Sequence, residues 1–131
     1  MATEKASSLV KARQASSLHS PGEELMEVFK DVFSQVRFAA EKMQKVNLFD
    51  TARMFCDVYC FEPGQEQTAH AHKGSDKVYY ILQGTGQVHV DQETKELGPG
   101  GLVLAPAGAE HGVRNAGSER LTVLVFMAPK P

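Results

Sequence analysis

The chain has 131 residues, 14 Lys+Arg against 16 Asp+Glu, 42% hydrophobic residues and no tryptophan, the composition of one ordinary domain able to hide about two-thirds of the surface its unfolded form exposes. A net charge of −2 leaves no basic footprint for nucleic acid, and no apolar run approaches the roughly 18 residues that a membrane-spanning helix needs. Within that even composition, ten of the 11 glycines, five of the six prolines and four of the five histidines lie after residue 62.

Residues 1–20 are rich in Ala, Ser and Lys and lack the apolar stretch of a secretory signal. They read as a solvated N-terminal extension, flexible or a short helix, carrying His19, and the chain as cytoplasmic. Ser20-Pro21-Gly22-Glu23 then offers an N-cap hydroxyl, a proline at the first helical position and a carboxylate at the third. Leu25, Val28, Phe29, Val32, Phe33 and Val36 recur at spacings of three and four. An N-terminal helical segment over 21–44 is expected, its apolar stripe packed on the domain or on a second copy, because the outer face mixes Glu23, Glu24, Glu27, Lys30 and Asp31 rather than being basic.

After Lys45 the period shortens towards two. Met54, Cys56, Val58 and Cys60 fall on one side of an extended segment and Phe55, Asp57, Tyr59 and Phe61 on the other. Apolar groups on both sides predict a strand covered on both faces. Cys56 and Cys60 then lie about 13 Å apart along the strand, too far for a disulfide, and read as small buried hydrophobes in a reducing compartment.

From Gly64 onward, β-rich runs at 77–82, 87–91, 102–105, 111–115 and 121–127 alternate with turn residues. Such punctuation predicts an all-β sandwich or barrel of antiparallel strands occupying 45–131. Gln83-Gly84-Thr85-Gly86 reads as a compact hairpin turn, and Gly98-Pro99-Gly100-Gly101 as another. Neither glycine cluster is followed by a helical pattern or by Lys-Ser/Thr, so neither is a phosphate loop.

His70-Ala71-His72 places two imidazoles on one face of a strand, about 7 Å apart at Cα. His111, opening another predicted strand after Pro106-Ala107-Gly108, is positioned to approach the pair from across a barrel. Three neutral imidazoles suit iron, zinc, manganese, nickel or copper, with open positions for water or substrate. Gln67 and Glu110 read as surface polar groups and His89 as a partly exposed strand position. Tyr79 shares the face of Lys77 and reads as core, while Tyr80 points the other way.

These residues resemble the cupin superfamily. Its first motif is a glycine, five residues, His-x-His, three or four residues, a glutamate, six residues and a glycine; Gly64, His70, His72 and Gly84 fall in place. Its second is a glycine, five residues, proline, one residue, glycine, two residues, histidine, three residues and asparagine; Gly100, Pro106, Gly108, His111 and Asn115 match without a gap. The resemblance implies an antiparallel jelly-roll barrel, usually homodimeric, with His70, His72 and His111 on a metal. It implies for Asn115 a motif position that is not a ligand, where a turn or strand-end hydrogen bond is expected.

The departure is Lys77, which occupies the glutamate position. An ammonium cannot coordinate, and a nearby cation disfavours its charged form. Lys77 either projects inward beside a three-histidine metal, or swings to solvent, or marks a metal-free site; Asp76, at the shorter motif spacing, is the other carboxylate available. Neighbours on a regular strand face opposite ways, and inward Lys77 is the favoured arrangement. Two functions follow: a small metal-binding cupin enzyme acting on an oxygenated or carboxylated small molecule in a dioxygenase- or isomerase-like reaction, with Lys77 as anion-binding or acid–base group, or a non-catalytic dimeric cupin that binds a ligand or serves structure. Fold-level analogy does not choose between them.

Overall fold

Nine strands follow one another in the computed structural model, which describes residues 27–131. They are β1 (Gln44–Asp50), β2 (Phe55–Phe61), β3 (Glu66–His70), β4 (Asp76–Gln83), β5 (Gly86–Val90), β6 (Glu93–Leu97), β7 (Leu102–Ala105), β8 (His111–Arg114) and β9 (Leu121–Ala128). Every pairing is antiparallel. Two sheets result, one ordered β1-β2-β9-β4-β7 and the other β3-β8-β5-β6, and they close residues Val32–Pro131 into an all-β jelly-roll barrel.

Strand alternation builds the core. Tyr59 and Phe61 of β2, Tyr79 and Ile81 of β4, and Val123 and Val125 of β9 point between the sheets and meet Val88 and Val113 from the opposite side. Large side chains buried this completely contribute roughly 1.5–3 kcal/mol each. The other face of β2 carries Cys56, Val58 and Cys60, which pack with Val46 and Leu48 of β1 into a second cluster. The strand is thus covered on both faces, and both cysteines are free and buried.

Among the described residues, what covers the second cluster is not an α-helix. Within 27–44 the only helical residues are the single 3-10 turn Val32–Ser34, so the expected helical segment over 21–44 is corrected there; its part before residue 27, and the extension 1–20 with His19, lie outside the described residues. Val32, Val36 and Phe38 pack on the cluster from an irregular chain. β-Branched valines lose χ1 freedom in a helix, and this chain is anchored by tertiary bonds instead. The Arg37 amide donates to Cys60 Sγ at 3.4 Å, and Gln65 Nε2 donates to the Ala39 carbonyl at 2.7 Å.

The two glycine clusters also differ from expectation. Gly84-Thr85 joins β4 to β5 and Gly98-Pro99-Gly100-Gly101 joins β6 to β7, and in each case the strands belong to different sheets. They are barrel corners rather than hairpins, because β4 is already paired on both sides by β9 and β7. Gly84 has φ +83°, and a Cβ there would collide with the Arg120 carbonyl oxygen. The tight hairpin is Asp91-Gln92, between the paired residues Val90 and Glu93, where Asp91 takes φ 50°.

Candidate metal centre

The site begins with an irregularity in β3. Gln67 pairs with Val113 and His70 with His111, so Thr68 and Ala69 share the space opposite the single residue Gly112. This bulge rotates the end of β3 by one residue, turning both Gln67 and His70 to the interior although they are three apart. Gly112 makes it possible: a Cβ there would stand 2.8 Å from the Gln67 carbonyl oxygen and 3.2 Å from the Ala69 backbone. His72 lies just beyond β3, held by the Gly108 amide donating to its carbonyl at 2.7 Å.

The three imidazoles meet. Ring centroids are 4.8 Å apart for His70 and His72, 4.5 Å for His70 and His111, and 5.6 Å for His72 and His111. One ring nitrogen from each lies within 4.8 Å of the other two. His70 Nδ1 contacts the Thr68 carbonyl at 2.9 Å and His111 Nδ1 the Ala109 carbonyl at 3.0 Å. A carbonyl only accepts, so in the neutral ring each Nδ1 carries the proton and each Nε2 presents a lone pair. Burial pushes His111 down to about 4, with Lys77 adding to the push and the Ala109 carbonyl opposing it. Burial, then His70 and Lys77, lower His72. Both are therefore neutral near pH 7, the form that binds metal.

His111 Nε2 tests the fit. Among the described residues it is the one buried side-chain nitrogen or oxygen without a hydrogen-bond partner, a condition that normally costs about 1–3 kcal/mol. It lies among two further imidazoles and accepts no hydrogen bond. A divalent transition ion is the partner that such a set fits.

Lys77 is 1% exposed and lines a cavity of about 960 Å³ with His70, His72, Tyr59, Asp57 and Lys45. Its ammonium stands 5.2 Å from the Tyr59 ring centroid and 5.3 Å from that of Tyr79. Burial lowers its pKa to about 8, Lys45 adding to the effect and Asp57 opposing it. Asp76 faces away, its carboxylate accepting from the Ala107 amide at 2.9 Å in an exposed position, and it is not part of the histidine cluster.

Gln67 is a correction to the sequence reading: it is buried, not at the surface. Tyr79 Oη donates to Gln67 Oε1 at 2.8 Å, and Gln67 Nε2 donates to Tyr59 Oη at 3.4 Å. Tyr79 is fully buried core. Glu110 is exposed and pairs with His89 at 3.0 Å rather than with His111. Asn115, fully buried, donates to the carbonyls of Phe61 and Glu119 at 3.2 and 2.8 Å and accepts from the Gly117 amide at 3.1 Å. Its side chain ties the end of β2 to the turn that precedes β9. Lys45 and Asp57 were missed as cavity residues; alternation about Tyr59 was the available signal for Asp57.

A family model described as a cupin domain matches residues 57–127. The chain belongs to the cupin family. Among solved structures it resembles TT1209 from Thermus thermophilus, with a TM-score of 0.77 and 47% identity over 79% of this chain and 98% of the other. A double-stranded β-helix protein from Klebsiella pneumoniae, at TM-score 0.73 and 23% identity over 78% of this chain and 90% of the other, shares the fold. Among curated proteins, this cupin is 33% identical over 76 residues to the 5-nitrosalicylic acid 1,2-dioxygenase of a Bradyrhizobium species, covering 58% of this chain and 36% of that one. The chain thus spans about a third of that relative's length, and 53% of an uncharacterised Methanocaldococcus jannaschii relative. No helix among the described residues is long and apolar enough to cross a membrane.

Proposed function

We propose that this cupin holds a divalent transition metal on His70, His72 and His111 and acts on a small oxygenated or carboxylated molecule in a dioxygenase- or isomerase-like reaction. The buried, unpartnered Nε2 of His111 carries the reading. Iron, zinc, manganese, nickel and copper all accept such a set, and the bound ion would supply a Lewis acid beside the cavity. Similarity to a dioxygenase of a hydroxylated aromatic acid supports the substrate class. Lys77 serves as the anion-binding or acid–base group, being buried and next to the histidines. Elemental analysis after purification without added metal tests the centre. About one equivalent of metal, lost in His111→Ala, is expected; below about a tenth of an equivalent, with no uptake from the five metals supplied in turn, the reading fails.

We also propose a homodimer. Leu102 and Leu104 of β7 and Phe126 of β9 are exposed on the outer sheet face, where Val78 pairs with both Leu104 and Phe126, giving a continuous apolar row of the kind that marks interfaces. Sedimentation should show a dimer that Leu104→Lys dissociates. The free cysteines suit a cytoplasmic setting.

A further inference from the structure

The cavity beside the three histidines has an unusual charge inventory. Lys42, Lys45 and Lys77 line it against two side-chain carboxylates, Asp57 and Glu66. Neither Lys45 nor Lys77 is ion-paired with a carboxylate among the described residues. Asp57 is partly engaged, accepting from Asn47 Nδ2 at 2.8 Å, and Glu66 is exposed.

The two lysines converge on one ring. Lys45 pairs with Tyr59 across β1 and β2, and its ammonium lies 5.3 Å from the Tyr59 centroid; the Lys77 ammonium, from the far strand β4, lies 5.2 Å from the same centroid. Aromatic faces offset part of the cost of removing an ammonium from water, but a buried charge demands more than that. Two like charges drawn to one ring also repel each other. An anion between them would offset both costs, and a charge-assisted bond to a carboxylate is about twice as strong as a neutral one.

We infer that the cavity is specific for small organic carboxylates, with the carboxylate held by Lys77 and Lys45 over the Tyr59 ring and the remaining oxygen functions turned to the histidines. Lys77 is the anchor, because its burial excludes competing water, and Lys45 is the second cation at the more exposed β1 side. The orientation towards the histidines rests on the metal reading above; the lysine anchor does not. A neutral isostere that leaves the carboxylate-sized space filled but uncharged should be rejected, since it would leave both cations unpaired.

The test is calorimetric titration of two matched pairs, salicylate against salicylamide and lactate against lactamide, into zinc-loaded protein and into protein stripped with a chelator. In zinc-loaded wild type, the acid of at least one pair is expected to bind at least tenfold more tightly than its amide. Lys77→Met, which keeps the length and apolar stem, should remove that preference while leaving zinc content unchanged; Lys45→Met should reduce it several-fold. No acid-over-amide preference in either pair, absence of binding by all four, or a preference that survives Lys77→Met overturns the inference. Wild-type selectivity alone decides if Lys77→Met does not fold. Stripped protein separates the two readings: if no zinc binds yet the acid preference remains and needs Lys77, the metal centre fails and the anion site stands; if zinc binds and the preference is absent, the reverse holds.

Discussion

His70 and His111 are direct partners across the β3–β8 pair, their ring centroids 4.5 Å apart, with the bulge of β3 closing immediately before His70. Ordinary strand geometry would send Gln67 and His70 to opposite faces. The extra residue brings both inside, so the histidine cluster and the buried glutamine arise from one local event in the backbone.

That event depends on Gly112. In Gly112→Ala the new Cβ would press on the Gln67 carbonyl and push β3 away, a strain worth roughly 1–3 kcal/mol. Metal affinity is expected to fall at least tenfold, measured by competition with a chromogenic chelator, with a lower melting temperature. Unchanged affinity would mean that the bulge does not set the spacing of His70 from His111.

Gln67 is satisfied only through Tyr79 and Tyr59. Gln67→Leu would strand the Tyr79 hydroxyl without a partner, at a cost of about 1–3 kcal/mol, whereas Tyr79→Phe removes the donor itself. The double variant should be less destabilised than the two single losses added together, by about 1 kcal/mol in a urea-unfolding cycle. Strict additivity would show that the two groups do not interact.

Much of this was legible in the sequence because it obeys period two. The runs that became β2, β4, β5, β7, β8 and β9 were located within about a residue at each end, and the two motifs brought His70, His72 and His111 to one place. Failures share a cause: each depends on pairing that the local pattern does not carry. β6 is Glu-Thr-Lys-Glu-Leu, largely exposed, without alternation, and exists because β5 holds it. Gln67 was misplaced because a bulge breaks the period at that residue. Spacings of three and four in Val32 and Val36 suggested a helix, but an irregular chain lying on β1 and β2 satisfies them equally well. The glycine turns were located, yet whether a turn returns to its own sheet or crosses to the other is decided by partners distant in sequence.

Cys56 sets a pH dependence at the alkaline end. Burial, with a contribution from Asp57, pushes its thiol from 9.0 up to about 11. Between those values the unfolded chain has released the proton and the folded one has kept it, so the native state binds more protons and stability falls as pH rises. Below pH 9 the contribution is fully present. Lys77, shifted downward, acts with the opposite sign over an overlapping range, and the quantity to measure is therefore the stability difference between wild type and Cys56→Ala. It should shrink by about 2 kcal/mol from pH 9 to pH 11, read from denaturant unfolding at fixed ionic strength. A difference constant with pH would show that the thiol titrates alike in both states.

Lys77→Glu places a carboxylate where the cupin motif has one, on a buried side chain beside His70 and His72. Replacing an ammonium by a carboxylate removes a repulsive charge and adds an oxygen donor, and both changes favour a divalent cation. Metal affinity is expected to rise by at least tenfold, measured by chelator competition. The same exchange reverses the charge offered to an organic anion, so salicylate and lactate should lose their advantage over the matching amides while metal is retained. Tighter metal with lost anion preference would assign the two effects to one side chain. Unchanged metal affinity would mean that the residue 77 side chain does not reach the space between the imidazoles.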